Sequence, residues 1–409
     1  VLGFVGYKDD KLVGRYGLEL YYEQILKREA SDSKINSFAE LFFDLKKLIA
    51  GEITTGDVVL TIEPNVQSML EKNLEKTREK YKAQTVGGMI ISPKTGEIIA
   101  MSAKPDFNPN QYAKTKDFSI FMNPLVESVI EMGSIMKPLT LAASMDNGSI
   151  TASTTYTDKG FLVFGPSRIE NYDGKARGAA DMQKVLNESL NTGAVFAMQK
   201  MGKDKFRDYV LGYGFGEKTG IELPQEGKNN ISNIIGSNRD IEYATASFGQ
   251  GIAVTPIAMV TALASLANGG LIMKPHIVKE ESIKGLKNRI VLPQEVRRVL
   301  KKESAEEMTR MLVSVVDNAL TGGVHKMEHY TVAAKTGTAQ LVEKGKKNYA
   351  EGEFIHTFFG YAPAFDAKFL TFLFIVKPQG AQYASNTLTE PFMDITKFLL
   401  NYYEIPPDR

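Results

Sequence analysis

The sequence contains no cysteine, which excludes disulfides and cysteine-based zinc or redox centres. Neither sign of charge is in excess: 49 Lys and Arg against 48 Asp and Glu leave a formal charge of +1. A chain so balanced carries neither the electrostatic footprint of a nucleic-acid binder nor a polybasic membrane patch. Histidine is scarce, at four residues in 409. His325 and His329 stand at helical spacing in "HKMEH", but this is not the order of a zinc-binding helix and no third ligand accompanies it. No metal and no cofactor is expected. No apolar run approaches the roughly 18 residues that a membrane-spanning helix needs; "TFLFIVKP" and "IAMVTALASLANGGLIM" are short or interrupted and read as core. The chain opens on "VLGFVGYKDD" with neither an initiator Met nor a leader-like segment, so it is expected to be trimmed from a longer protein. Gly-x-Ser-x-Gly, the serine elbow of α/β-hydrolases, is missing as well, and no internal repeat or low-complexity tract is evident.

What is present is ordinary globular material, 43% hydrophobic and 24% charged, in a length that suits one large domain plus a smaller one. Residues 1–57 are uneven and hold too little apolar material for a core of their own, so they read as an accessory segment leaning on a main domain of 58–409. That domain starts at "GDVVLTIEP". "NVQSMLEKNLEKTREKYKA" follows, with Val66, Met69, Leu70 and Leu74 on one face of a long amphipathic helix. "VGGMIIS" and "IIAMSAKP" flank the turn "PKTGE" as a hairpin. Helical patterns dominate from about 134 to 320, broken by turn-rich pieces such as "YTDKGFLVFGPSRIENYDGK". Strand-like runs return at "YTVAAKTGTAQ", "FIHTFFGYAPA" and "KFLTFLFIVKP", and the chain closes on the helix-like "PFMDITKFLLNYY". Strands, then helices, then strands predict an α/β or α+β layered domain, a central antiparallel sheet flanked by helices.

Three stretches carry candidate chemistry. In "EMGSIMKPLTLAASMDNG", Ser134 and Lys137 lie one helical turn apart on one face. Gly133 allows a tight entry, Ser134 falls at an N-cap or first-turn position, and Pro138 falls where its missing N–H costs least. A serine hydroxyl becomes a nucleophile when a neighbouring base takes its proton, and a neutral lysine amine one turn away can do so. Lysine titrates near 10.4, so neutrality at pH 7 asks for a shift of about 3 units, roughly 4 kcal/mol. Burial and a second nearby cation supply such a shift. Taken alone, the pair reads more readily as a capping serine and a solvated lysine. Ser31 and Lys34 share the spacing in the polar "REASDSKINS", where no apolar helix follows and the lysine stays solvated.

In "NESLNTGAVFAMQKMG", Ser189 and Asn191 form a Ser-x-Asn, a possible proton relay beside an orienting amide, although both residues favour caps and turns in any case. Lys-Thr-Gly occurs three times. At 94–96 it occupies a hairpin turn. At 218–220 it lies in the glycine-rich loop "GYGFGEKTGIELPQEG", which is neither a P-loop nor a dinucleotide fingerprint. At 335–337 it continues the apolar "TVAA" into a strand. Alternation there places Lys335, Gly337 and Ala339 on one face and Thr336 and Thr338 on the other. Gly337 is the position where a substrate backbone could approach closely.

Ser134-x-x-Lys137, Ser189-x-Asn191 and Lys335-Thr336-Gly337, in that order, resemble the three signatures of the penicillin-binding protein and serine β-lactamase superfamily. The flanks "VVLTIEPNVQ", "SPKTGEIIAMSAKPDFNPN", "ATASFGQGIAVTPIAMVTALASLANGG" and "AAKTGTAQ…FFGYAPA" resemble class B penicillin-binding proteins over about 58–409. "VLGFVG…GLELYYEQIL" looks like the end of their N-terminal pedestal. Glu63 stands where the family has Asp, Met132 where Pro is common, and Ile135 where Thr or Ala is common.

The resemblance implies a peptidoglycan D,D-transpeptidase inhibited by β-lactams. Ser134 would attack the penultimate D-alanine carbonyl of a stem peptide, with Lys137 as base. Ser189, held with Lys137 and Asn191, would pass a proton to the departing D-alanine. Lys335 would keep Lys137 neutral and, with Thr336 and Thr338, hold the substrate carboxylate. The Ser134 and Thr338 N–H groups would form an oxyanion hole. It further implies a bacterial protein on the outer face of the cell membrane, paired at full length with a membrane glycosyltransferase, its anchor absent from this chain. Within the same superfamily stand a D,D-carboxypeptidase, with water as acceptor, and a β-lactamase or penicillin sensor, for which no deacylating base is identified. A scaffold without activity is the remaining reading, and every motif residue being present speaks against it.

Overall fold

A computed structural model describes residues 1–27, 55–283, 287–342 and 349–409. The Ser31–Lys34 pair lies outside the described residues, as do residues 28–54 of the proposed 1–57 segment.

The main sheet has five antiparallel strands. Numbered with the other strands used below, they run β1 (Val5–Lys8), β2 (Lys11–Gly14), β3 (Gly56–Leu60), β4 (Thr85–Ile91), β5 (Ile98–Lys104), β6 (Val278–Ile283), β7 (Ala333–Val342), β8 (Tyr349–Ala362) and β9 (Phe369–Val376). The order across the main sheet is β7-β8-β9-β4-β5, every pair antiparallel. The helices that matter for the site are α1 (Pro64–Lys80), α2 (Lys137–Asp146), α3 (Asn191–Met201), α4 (Pro256–Ala267), α5 (Lys302–Ser314) and α6 (Ala384–Tyr402). The layered α/β architecture expected from the sequence is therefore the one observed.

Successive strand residues face opposite sides, so a strand covered on both faces must be apolar throughout, and "FLTFLFIV" of β9 is nearly so. Leu373 and Phe358 join Val66, Leu70 and Leu74 of α1 and Phe392 and Leu399 of α6 on one side. Phe372 and Phe359 join Met132, Ile135 and Leu139, with α4 and α5 behind them, on the other. Removing such surface from water contributes about 25 cal/mol per Å² of apolar area. α4 is buried along almost its whole length, as expected of a helix apolar on every face. α1 opens on Pro64, and Glu63 serves as its N-cap by accepting from the Val66 N–H at 2.7 Å. A longer acid thus does the capping that the family pattern gives to Asp.

Several expectations are refined. α6 begins at Ala384 rather than near Pro391, which lies inside it; its first N–H donates to Thr338 Oγ1 at 3.2 Å. The stretch read as turn-rich at 156–175 folds into two small strand pairs, Thr155–Asp158 with Gly178–Asp181 and Phe161–Phe164 with Ser167–Glu170. A further three-stranded sheet pairs β3 with β6, and β6 with Arg289–Ile290, the latter two inside a region whose pattern was mainly helical. At the N-terminal end, Phe4 packs among Tyr16, Phe107, Tyr112 and Phe121 beside the β1–β2 hairpin. Leu18 and Tyr22 are buried in the main apolar cluster. No helix among the described residues is long and apolar enough to cross a membrane.

Candidate active site

Ser134 sits in a 3-10 turn, Gly133–Met136, that leads directly into α2. The turn is wedged between two backbones. Gly133 has φ +62°, and a Cβ there would stand 2.8 Å from the Thr338 carbonyl oxygen, so glycine is required on both counts. Gly133 N–H donates to Gly249 O at 3.1 Å, and the Glu131 carboxylate accepts from Gly251 N–H at 2.9 Å. Pro138, one residue into α2, needs no N–H partner at that position. Among the described residues the Ser134 hydroxyl makes no side-chain hydrogen bond, and it lines a cleft of about 630 Å³.

Lys137 follows one turn later and is 0% exposed. Its amine donates to the Ser189 carbonyl and, at 3.2 Å, to Ser189 Oγ. Lys335 is 3% exposed and reaches the same Ser189 Oγ at 3.1 Å, with a second bond to Thr336 O at 3.1 Å. Burial, and secondarily the charge of Lys335, hold the Lys137 amine well below the usual lysine range. Burial alone brings Lys335 down to about 8. No carboxylate is paired with either lysine among the described residues. A buried cation without a partner is costly, so proton loss from Lys137 is the cheaper state.

Ser189 itself has φ +54°, uncommon for a residue other than glycine. It stands just before α3. Asn191 occupies the first position of that helix, where its amide donates to Glu170 O at 2.7 Å. The Asn191 side chain is thus turned toward the 167–170 strand and lines the cleft beside the Ser189–Lys137 contact rather than joining it. Behind it lies a buried carboxylate, Asp158. It accepts from Gly160 N–H, Asn171 Nδ2, Arg177 N–H and Thr192 Oγ1 at 2.8–2.9 Å, which ties the two small strand pairs to the head of α3.

β7 forms the opposite wall. Lys335, Thr336 and Thr338 line the cleft. Gly337 faces the turn that carries Ser134: a Cβ there would collide with Thr357 Oγ1 and come within 2.8 Å of Met132 O and 3.1 Å of Ile135 N. The close approach that Gly337 permits is therefore one by the protein's own Thr357 hydroxyl and Met132–Ile135 backbone. The other two Lys-Thr-Gly copies are the turns expected. Lys94 is exposed and paired with Asp366, next to Gly96 at φ +82°. Thr219 and Gly220 donate their N–H groups to Glu226 at 2.7 and 3.1 Å. Met132 and Ile135, the two departures in the Ser134 turn, are buried in the core.

Ser134, Ser189, Asn191, Lys335, Thr336 and Thr338 line one cleft, from sequence positions as much as 204 apart, and Lys137 meets it from behind through Ser189. Phe248, Gln250, Tyr172, Tyr383 and Glu188 also line it and were not anticipated. Phe248 and Gln250 lie in the flank "ATASFGQG" and Glu188 directly before Ser189, so their segments were marked although their roles were not; Tyr172 and Tyr383 lie in stretches with no such mark.

An antiparallel sheet between helical layers, with a serine and a buried lysine opening a central helix and a Lys-Thr-Gly edge strand opposite, is the architecture of the penicillin-recognising serine proteins. Residues 86–397 match the family described as the penicillin binding protein transpeptidase domain, and the chain belongs to that family. It is 33% identical over 405 residues to stage V sporulation protein D of Bacillus subtilis (strain 168), covering 96% of this chain and 60% of that protein. It is 27% identical over 434 residues to a peptidoglycan D,D-transpeptidase FtsI homolog of Mesostigma viride, covering 98% and 71%. Similarity also extends to penicillin-binding protein PbpB of Mycolicibacterium smegmatis, 27% identical over 361 residues, covering 85% and 55%. In fold it resembles penicillin binding protein 3 of Mycobacterium tuberculosis, with a TM-score of 0.86 at 23% identity, covering all of this chain and 89% of that one. That protein has also been crystallised with aztreonam and with ampicillin. The chain spans about three fifths of the first of these relatives.

Proposed function

We propose that this chain is the catalytic part of a peptidoglycan D,D-transpeptidase, a serine acyltransferase that β-lactams acylate. The observation that carries the reading is the pair of buried lysines meeting on one hydroxyl, Ser189, beside the open Ser134. In the first half-reaction Ser134 Oγ attacks the penultimate D-alanine carbonyl and its proton passes to neutral Lys137. The tetrahedral oxyanion is met by the Ser134 and Thr338 N–H groups, a contribution of about 3 kcal/mol per donor. The C–N bond to the terminal D-alanine breaks, and the leaving amine takes a proton relayed from Lys137 through Ser189. In the second half-reaction a stem-peptide amine attacks the ester and loses its proton to Lys137, which returns it to Ser134 Oγ as the ester C–O bond breaks, restoring the serine hydroxyl and the neutral base. Lys335, with Thr336 and Thr338, receives the substrate carboxylate, and Asn191 orients the peptide amide.

Residues 1–57 are read as part of an N-terminal pedestal and 58–409 as the transpeptidase domain; the family match lies wholly within the second. The relatives' names support a cell-wall role; a place outside the cytoplasmic membrane and a membrane glycosyltransferase as partner of the whole protein belong to the same reading. A carboxypeptidase differs only in using water as acceptor. The test is a thioester analogue of acyl-D-alanyl-D-alanine, offered with and without a D-amino acid acceptor. Acceptor-dependent amide product that disappears in Ser134→Ala is expected. Release of free acid alone would favour the carboxypeptidase.

A further inference from the structure

We propose that Thr357 is a positioning residue for the nucleophile, acting through the backbone of Met132. The inference rests on the reading of Ser134 as nucleophile. Thr357 is 0% exposed in β8, within the apolar run "FIHTFFG". A hydroxyl there must find an acceptor or bear the cost of burial. It donates to Met132 O at 2.9 Å, the carbonyl two residues before Ser134.

The same residue is the register partner of Gly337. Because Gly337 lacks a Cβ, the Thr357 hydroxyl, the Met132 carbonyl and the Ile135 N–H can meet over the Lys-Thr-Gly strand. One hydrogen bond thus ties the turn carrying Ser134 to the strand pair carrying Lys335 and Thr338. The contacts on the turn's other side, from Gly249 and Gly251, fix it to the helical layer. Thr357 supplies a complementary tie to the sheet. Its loss lets Ser134 Oγ and the Thr338 N–H drift relative to each other. A displacement of a fraction of an ångström there is felt in the transition state, where both groups must address one carbonyl, and hardly at all in ground-state binding.

The test follows benzylpenicillin acylation by rapid quench and intact mass in wild type, Thr357→Val and Thr357→Ser, with melting temperatures recorded for each. Valine keeps the shape and removes the donor; serine keeps the donor. The maximal acylation rate of Thr357→Val is expected to fall roughly 10- to 100-fold with half-saturation unchanged within about twofold, and Thr357→Ser to recover to within about threefold of wild type. Should valine prevent folding, Thr357→Ala carries the same comparison. Wild-type rates in a folded valine or alanine variant, an equal loss in serine and valine, or a loss confined to half-saturation would overturn the proposal. Absence of a wild-type adduct on Ser134 would instead strike the functional reading itself.

Discussion

Lys137 and Lys335, 198 residues apart in sequence, point their amines at the same atom, Ser189 Oγ, at 3.2 and 3.1 Å. Two ammonium groups cannot comfortably share one buried hydroxyl. Burial depresses both, and Lys335 further depresses Lys137. The stable arrangement has a neutral Lys137, able to accept the Ser134 proton, beside a charged Lys335.

This gives acylation a bell-shaped pH profile. As pH rises through the depressed Lys137 value, the neutral base accumulates and the rate climbs. As it rises past about 8, Lys335 loses the charge that would hold the substrate carboxylate, and the rate falls. The limbs belong to the coupled pair. Acylation efficiency by benzylpenicillin measured from pH 5 to 10 checks this; a flat profile or a single rising limb contradicts it.

Replacing Lys335 with Met removes the like charge that presses on Lys137. The rising limb should move to higher pH, because Lys137 then binds its proton more tightly, and the falling limb near 8 should vanish. Overall efficiency should drop by at least about 100-fold, since a charge-assisted carboxylate contact is worth roughly 3 kcal/mol. A rising limb that stays in place would show that the two amines are not coupled.

Gly337→Ala forces a methyl first against the Thr357 hydroxyl and then against Met132 O and Ile135 N. An overpacked core site costs about 1–3 kcal/mol, and here the strain is released through the turn that holds Ser134. Denaturant midpoints should fall, and acylation should slow by more than the stability loss explains. Wild-type acylation in this variant would mean that the strand and the turn are not in register.

Asp158→Ala leaves four donors without their acceptor, those of Gly160, Asn171, Arg177 and Thr192. The expected loss of stability is roughly 3 kcal/mol, because unpaired buried donors cost about 1–3 kcal/mol each and some will find water. Urea unfolding measures it directly. A change below about 0.5 kcal/mol, the size of an ordinary surface substitution, would contradict the structural role assigned to this carboxylate.

Much of the site could be read from the chain because its parts are local. Ser134 and Lys137 lie one turn apart, Ser189 and Asn191 two residues apart, and Lys335 to Thr338 along one strand, so each set can be picked out locally, and their order and flanks separate them from the chance copies. The amphipathic pattern of α1 and the near-continuous apolar run of β9 likewise fix their elements before any packing is known. The rest depends on tertiary placement. Asp158 reads as a turn acid in "TDKG", and only the folding back of 167–177 turns it into a buried acceptor. The 155–181 strands are four residues each, too short for periodicity to register. Thr357 left one faint sign, a hydroxyl between His356 and Phe358 in an otherwise largely apolar run, but its partner is 225 residues away. α6 hid its start for the opposite reason: Pro391 looked like a beginning, whereas the real one is set by Thr338 on a distant strand.

Intact-mass analysis after incubation with benzylpenicillin, run beside Ser134→Ala, tests the central claim most directly. The account predicts a stable adduct of the drug's mass on Ser134 that is absent from the variant and outlasts a catalytic turnover by far. Rapid consumption of the drug without a lasting adduct would mark a β-lactamase, and neither adduct nor consumption would contradict Ser134 as an activated nucleophile.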